Sequence, residues 1–142
     1  MQVEIDLESA DEFSTARLNR PCVVAVIDDD ESVRESVVGL IESAGYCVTF
    51  FRSAEEFLGC AEINTVACMI VDIRLPGISG LELLSSMRGH QRSIPAVCIT
   101  AHADGNVRRQ AIEAGSIAFL SKPFQADVLL DAVRVALART RA

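Results

Sequence analysis

Apolar residues in this chain fall into two patterns that alternate along its length. One is the short unbroken run: Val23-Val24-Ala25-Val26-Ile27, Val66-Ala67-Cys68-Met69-Ile70-Val71, Ala96-Val97-Cys98-Ile99 and Ile117-Ala118-Phe119-Leu120. A run of that length bounded by turn residues reads as a strand buried on both faces. The other is an apolar residue every three or four positions, the mark of a helix with one buried face. Strands are expected at about 22–27, 46–51, 66–71, 95–99 and 117–120, and helices at about 31–44, 54–60, 79–89, 105–114 and 124–139. Five strand–helix units in succession predict an α/β domain, a doubly wound parallel sheet with helices on both faces and right-handed crossovers.

The punctuation fits these boundaries. Asp30 can cap the first helix, whose apolar face is traced by Val33, Val37, Leu40, Ile41 and Ala44. Gly45 suits the left-handed residue that ends it. Ser53 and Glu56 form a capping box before the second helix. Ser79 can cap the third, with Leu81, Leu84 and Met87 inward, and Gly115 ends the fourth. The last helix is expected to bury Val128, Leu129, Ala132, Val135 and Ala136. Residues 1–20 are polar, mostly acidic and without a sustained period, and read as a flexible tail ahead of a domain over 21–142. No second apolar block follows the fifth helix, so no output domain is expected in this chain.

Composition narrows the class. With 142 residues, 50% hydrophobic and 23% charged, this is one globular domain with a real core. A net charge of −7 argues against direct binding of nucleic acid. No apolar stretch approaches the ~20 residues that span a membrane, and the N-terminus lacks a signal pattern. The five cysteines include no C-x-x-C and no Cys/His cluster, so zinc is not expected and they read as small buried hydrophobes in a reducing cytoplasm.

The chemistry gathers at strand ends. The first run leads into Asp28-Asp29-Asp30, the third into Asp72-Ile73-Arg74-Leu75-Pro76-Gly77, the fourth into Thr100 and the fifth into Ser121-Lys122-Pro123. In an open α/β sheet the C-terminal edge is where ligands bind. Asp28, Asp29 and Asp72 would converge there and repel one another unless a cation joined them. An oxygen-only donor set suits a hard ion such as Mg²⁺. Asp72 could then act as a nucleophile toward phosphorus, with Lys122 and Thr100 addressing phosphate oxygens. Singly, each residue has a plainer reading: Asp30 an N-cap, Thr100 a polar strand end, Lys122 a surface lysine, Phe119 a core aromatic.

Taken together, Ile27-Asp28-Asp29-Asp30, Val71-Asp72-Ile73-Arg74-Leu75-Pro76-Gly77 with Ser79-Gly80, Ile99-Thr100-Ala101 and Phe119-Leu120-Ser121-Lys122-Pro123-Phe124 resemble the receiver domain of bacterial two-component response regulators, over about residues 22–139. The last two segments look like receivers that precede LuxR-type DNA-binding domains. The resemblance implies a flavodoxin-like (βα)5 fold with strand order 2-1-3-4-5. It implies Asp72 as phosphoacceptor, with Asp28, Asp29, Asp72 and the backbone carbonyl of Arg74 as the metal site. The cofactor would be Mg²⁺, for which Mn²⁺ can substitute. Thr100 and Lys122 match the switch hydroxyl and the phosphate-pairing lysine, and Phe119 the aromatic switch. A cis bond is expected at Lys122–Pro123. The donor would be a sensor histidine kinase or a phosphotransfer protein in the cytoplasm. Phosphorylation would change the surface formed by the fourth helix, fifth strand and fifth helix, controlling an output domain, a partner or a homodimer. The protein would be a signalling domain rather than an enzyme, assisting its own phosphorylation and dephosphorylation. Arg74 and His102, two residues beyond Asp72 and Thr100, stand where they can modulate the lifetime of the phosphorylated state. Two rivals are a haloacid-dehalogenase-type phosphohydrolase, with Asp28-x-Asp30 as its nucleophile motif, and a receiver-like scaffold that signals without phosphorylation. The first lacks a late acidic pair and a cap insertion; the second would have lost an acid or the lysine.

Overall fold

The computed structural model describes residues 23–60, 63–88 and 94–141; the expected tail over 1–20, Cys22 and His90 lie outside them. Among the described residues five strands alternate with five helices. β1 (Val23–Ile27) leads to α1 (Glu31–Ser43), β2 (Cys47–Phe51) to α2 (Ala54–Leu58), and a 3-10 turn (Ile63–Thr65) precedes β3 (Val66–Asp72). Then follow α3 (Gly80–Arg88), β4 (Ala96–Thr100), α4 (Gly105–Glu113), β5 (Ser116–Ser121) and α5 (Ala126–Arg141). The strands form one parallel sheet in the order β2-β1-β3-β4-β5.

Successive side chains on a strand point to opposite faces, so each strand feeds two cores. Ala25 and Ile27 of β1, with Met69 and Val71 of β3, face α2, α3 and α4 through Phe57, Leu83, Leu84, Met87 and Ala111. Val24, Val26, Cys68 and Ile70 face α1 and α5 through Val37, Ile41, Leu129, Val133, Ala136 and Leu137. Double coverage explains the unbroken apolar runs in β1, β3 and β4, whereas the edge strand β2 is only partly buried.

The caps form locally as expected. The Asp30 carboxylate accepts from the Val33 amide at 3.2 Å, and Ser53 Oγ from the Glu56 amide at 3.0 Å. Ser79 and Glu82 close a reciprocal box: the Glu82 amide donates to Ser79 Oγ (3.1 Å) and the Ser79 amide to Glu82 Oε1 (2.9 Å). Gly45 and Gly115 take φ of 95° and 107° after α1 and α4.

Three expectations need correction. In α5, Val128 and Val135 are exposed, and Val133 and Leu137 are buried in their place. In α3, Leu83 is fully buried and Leu81 only partly. Of the cysteines, Cys68 and Cys98 are buried, and burial pushes their thiols up to about 12 and about 11; Cys47 at the start of β2 is exposed.

Candidate functional site

Sheet register assembles the site. Ile27 is the register partner of Val71, so the residues that follow them, Asp28 and Asp72, leave the sheet side by side. Asp72 is paired with Ile99, which puts Thr100 one step beyond, and Thr100 is paired with Ser121, one residue before Lys122. The Lys122 amide also donates to the Thr100 carbonyl at 2.8 Å, and the Lys122–Pro123 peptide bond is cis. The chain winds from β1 to β2 on one side and to β3 on the other, so the acids stand at the switch point where the strand order reverses.

Asp28 is fully buried and Asp72 is 6% exposed, while Asp29 is exposed. One carboxylate oxygen from each of the three lies within 4.8 Å of the others. Lys122 Nζ bridges two of them, donating to Asp72 Oδ2 at 2.9 Å and to Asp28 Oδ2 at 3.2 Å. Remaining oxygens are satisfied by the backbone: the Asp30 amide donates to Asp28 Oδ1 and the Arg74 amide to Asp72 Oδ1, both at 2.9 Å.

Electrostatics follow from that packing. Burial pushes the Asp28 carboxyl above the usual range and the charge of Asp72 adds to it; the Asp30 amide and Lys122 oppose without cancelling it. Burial alone would lower the Lys122 ammonium, but the hydrogen bond and charge of Asp72, then those of Asp28, outweigh it and raise it above the usual lysine range. The lysine is thus held as a cation against an acid that resists ionisation. These residues fit a hard divalent ion. Three convergent carboxylates supply only oxygen donors, the exposed Asp29 gives an entry side, and a second positive charge would relieve the strain on Asp28.

Thr100 is fully buried, and its Oγ accepts from the amide of exposed His102 at 3.2 Å. Phe119, half-buried in β5, has the Arg108 guanidinium of α4 over its ring, 5.7 Å from the centroid. Arg74 is exposed in the loop after β3.

Two residues at the site were not singled out from the sequence. Arg34, on the first turns of α1, is only 4% exposed. Its Nη1 donates to the Asp28 carbonyl at 2.9 Å, and its guanidinium lies 5.5 Å from the centre of the Phe50 ring. Gly80 opens α3 directly on the backbone of Asp72: a Cβ there would meet the Asp72 carbonyl oxygen at 2.5 Å and Ile73 Cα at 2.8 Å. The quoted motif included Gly80, but the close approach depends on how α3 returns to β3.

A family model described as the response regulator receiver domain matches residues 24–134. The transcriptional regulatory protein FixJ of Azorhizobium caulinodans is 40% identical over 117 residues, covering 82% of this chain and 56% of the relative. Nodulation protein W of Bradyrhizobium diazoefficiens is 40% identical over 119 residues, covering 84% and 52%. The chain therefore spans about half the length of the curated relatives it matches. Among solved structures, the response regulator StyR superposes with a TM-score of 0.79 at 40% identity, covering 85% of this chain and 61% of that one. A structure named FixJ-N gives 0.75 at 34% identity, covering 82% and 94%.

Proposed function

This chain belongs to the response regulator receiver family, and on that premise we propose that Asp72 accepts a phosphoryl group from a phosphohistidine on a sensor kinase or phosphotransfer protein. The observation that carries this reading is the meeting of three carboxylates and one ammonium at a single strand rim. A carboxylate oxygen of Asp72 attacks phosphorus as the N–P bond breaks. That bond's electron pair returns to the imidazole, and the product is an acyl phosphate on Asp72.

Asp28, Asp29, Asp72 and the carbonyl of Arg74 would hold Mg²⁺ or, in its place, Mn²⁺. Bound there, the ion supplies positive charge that offsets the acids and the incoming phosphoryl oxygens. The chain's own residues do the rest. Lys122, already a cation 2.9 Å from Asp72, shifts its hydrogen bond to a phosphoryl oxygen. The Thr100 hydroxyl, buried one strand over, turns to donate to another. Phe119 then moves into the space released, leaving the Arg108 guanidinium that rests on it. Local charge is thereby read out on α4, β5 and α5 as a two-state change. Arg74, whose amide donates to Asp72, and His102, whose amide donates to Thr100, would set how readily water reaches the acyl phosphate.

Residues 21–142 would act as the receiver unit, in the cytoplasm, with a second copy of the chain or a transcriptional output as what the switched surface governs. A relative named as a transcriptional regulatory protein supports that output. Among the described residues no helix is long and apolar enough to cross a membrane. The test is incubation with a small-molecule phosphodonor and Mg²⁺. Label on the wild type and none on Asp72→Ala bears the reading out; label that survives the substitution overturns it.

A further inference from the structure

We infer that Glu55, on α2, is a positioning residue for Asp72. The inference rests on the reading of Asp72 as phosphoacceptor. Glu55 Oε2 accepts a hydrogen bond from the Ile78 amide at 3.0 Å, across 23 positions of sequence. Beneath the same carboxylate lies Gly77, with φ of 73°, so close that a Cβ there would collide with Glu55 Oε2. The carboxylate thus meets the loop that follows Asp72 at its middle, at Gly77 and Ile78.

That loop transmits position to the acid at both of its ends. At the near end the Arg74 amide donates to Asp72 Oδ1 at 2.9 Å, tying the rotation of the carboxylate to the loop backbone. At the far end the Gly80 amide donates to the Ile73 carbonyl at 2.9 Å, and Gly80 runs so close to Asp72 that an added Cβ would meet its carbonyl oxygen at 2.5 Å. Residues 73–80 therefore form a closed clip with Asp72 in its jaw, and Glu55 holds the outside of the bend.

Glu55 is not needed where it stands for the ordinary reason. An acid in the first turn of a helix favours the dipole and completes the cap. In α2 Glu56 does that work: its amide donates to Ser53 Oγ at 3.0 Å, and its Oε1 accepts from the Arg52 amide at 2.8 Å. The Glu55 carboxylate is left for the distant loop. Displacing a reacting group by ~1 Å can cost up to ~100-fold in rate, so a side chain that fixes the bend of this clip governs chemistry it does not touch.

The experiment compares Glu55→Ala with Glu55→Gln in the full chain. The amide oxygen of Gln still accepts from Ile78, so charge and acceptor are separated. At saturating Mg²⁺, the initial rate of Asp72 phosphorylation from a small-molecule donor should fall roughly tenfold in Glu55→Ala and stay within about twofold of wild type in Glu55→Gln. Amide hydrogen exchange at both Ile78 and Arg74 should quicken in Glu55→Ala alone. A Glu55→Ala protein with wild-type rate and exchange overturns the inference. So does a Glu55→Gln protein as impaired as Glu55→Ala, and so does faster exchange at Ile78 that does not reach Arg74. Were the wild type to take no label at Asp72, the functional reading would fall, and the exchange comparison would still decide whether Glu55 orders the backbone around that acid.

Discussion

The turn after β1 and the loop after β3 bring acids to the same rim, and they are secured in opposite ways. Residues 28–30 pass straight into α1, and what holds them comes from that helix: the Asp30 cap, and the buried Arg34 guanidinium on the Asp28 carbonyl. Residues 73–79 make a longer bend, and the side chain on its outside comes from α2, earlier in the chain and exposed to solvent. A tight turn is secured by burial, which costs much to undo. A long loop is secured by a surface hydrogen bond, whose loss changes placement more than stability. Asp28, fully buried, sits in the first; the acid proposed to change its bonding partners, Asp72, sits beside the second.

The contrast can be broken by removing each fastening. The largest loss of stability is expected for Arg34→Met, about 2 kcal/mol in urea denaturation, because it strands a buried carbonyl and empties the face of Phe50. Unchanged stability would mean that the first turn is no more firmly held than the second. Gly80→Ala should cost about 1–2 kcal/mol through its collision with the Asp72 backbone. Gly39→Ala is the control: it sits mid-helix with open space around its Cβ position, so about 0.5–1 kcal/mol of stabilisation is expected.

Asp28→Asn tests the electrostatic side of the first turn. The folded-state pKa of Asp28 is raised, so its contribution favours folding at pH below the unfolded carboxyl value and is lost as pH rises through the folded one. Ionisation of Asp28 therefore opposes folding. Without Mg²⁺ the Asn variant should melt a few degrees higher than wild type, roughly a 1 kcal/mol effect. Mg²⁺ should raise the wild-type melting temperature and barely move that of the variant. A variant that melts lower without the ion would show that Lys122 more than compensates the acid. The smallest effect is expected for Glu55→Ala, under about 0.5 kcal/mol by the same denaturation, since the group is exposed. A loss comparable to that of Arg34→Met would erase the distinction between the two loops.

Much of this was legible in the chain because it is local. Runs bounded by turn residues located the strands, and Asp30, Ser53 and Ser79 marked the helix starts through bonds that reach three residues ahead. The acids, Thr100 and Lys122 were legible because each ends a run. Helix faces were less so. α5 is apolar on several sides, and periodicity in Val128-Leu129-Leu130-Asp131-Ala132-Val133 does not fix which stripe faces the sheet. In α3 the adjacent Leu83 and Leu84 pose the same ambiguity. Arg34 was hidden because an arginine in a helix ordinarily faces water, and Glu55 because an acid in a first turn already has a local explanation. Their partners are a carbonyl and an amide, which leave no mark on the composition of the chain.

The bridge made by Lys122 has a consequence for how the domain is made. Its ammonium closes a loop of 94 positions back to Asp28 and one of 50 back to Asp72. On the ribosome the acids emerge first and their shared counter-ion last. Contacts of such high order form only with the global topology. Until β5 is synthesised and seated, the rim carries repelling carboxylates without the lysine that gathers them. The gathered rim, with its acids and their shared lysine in register, thus belongs to the finished sheet and to no shorter piece of it.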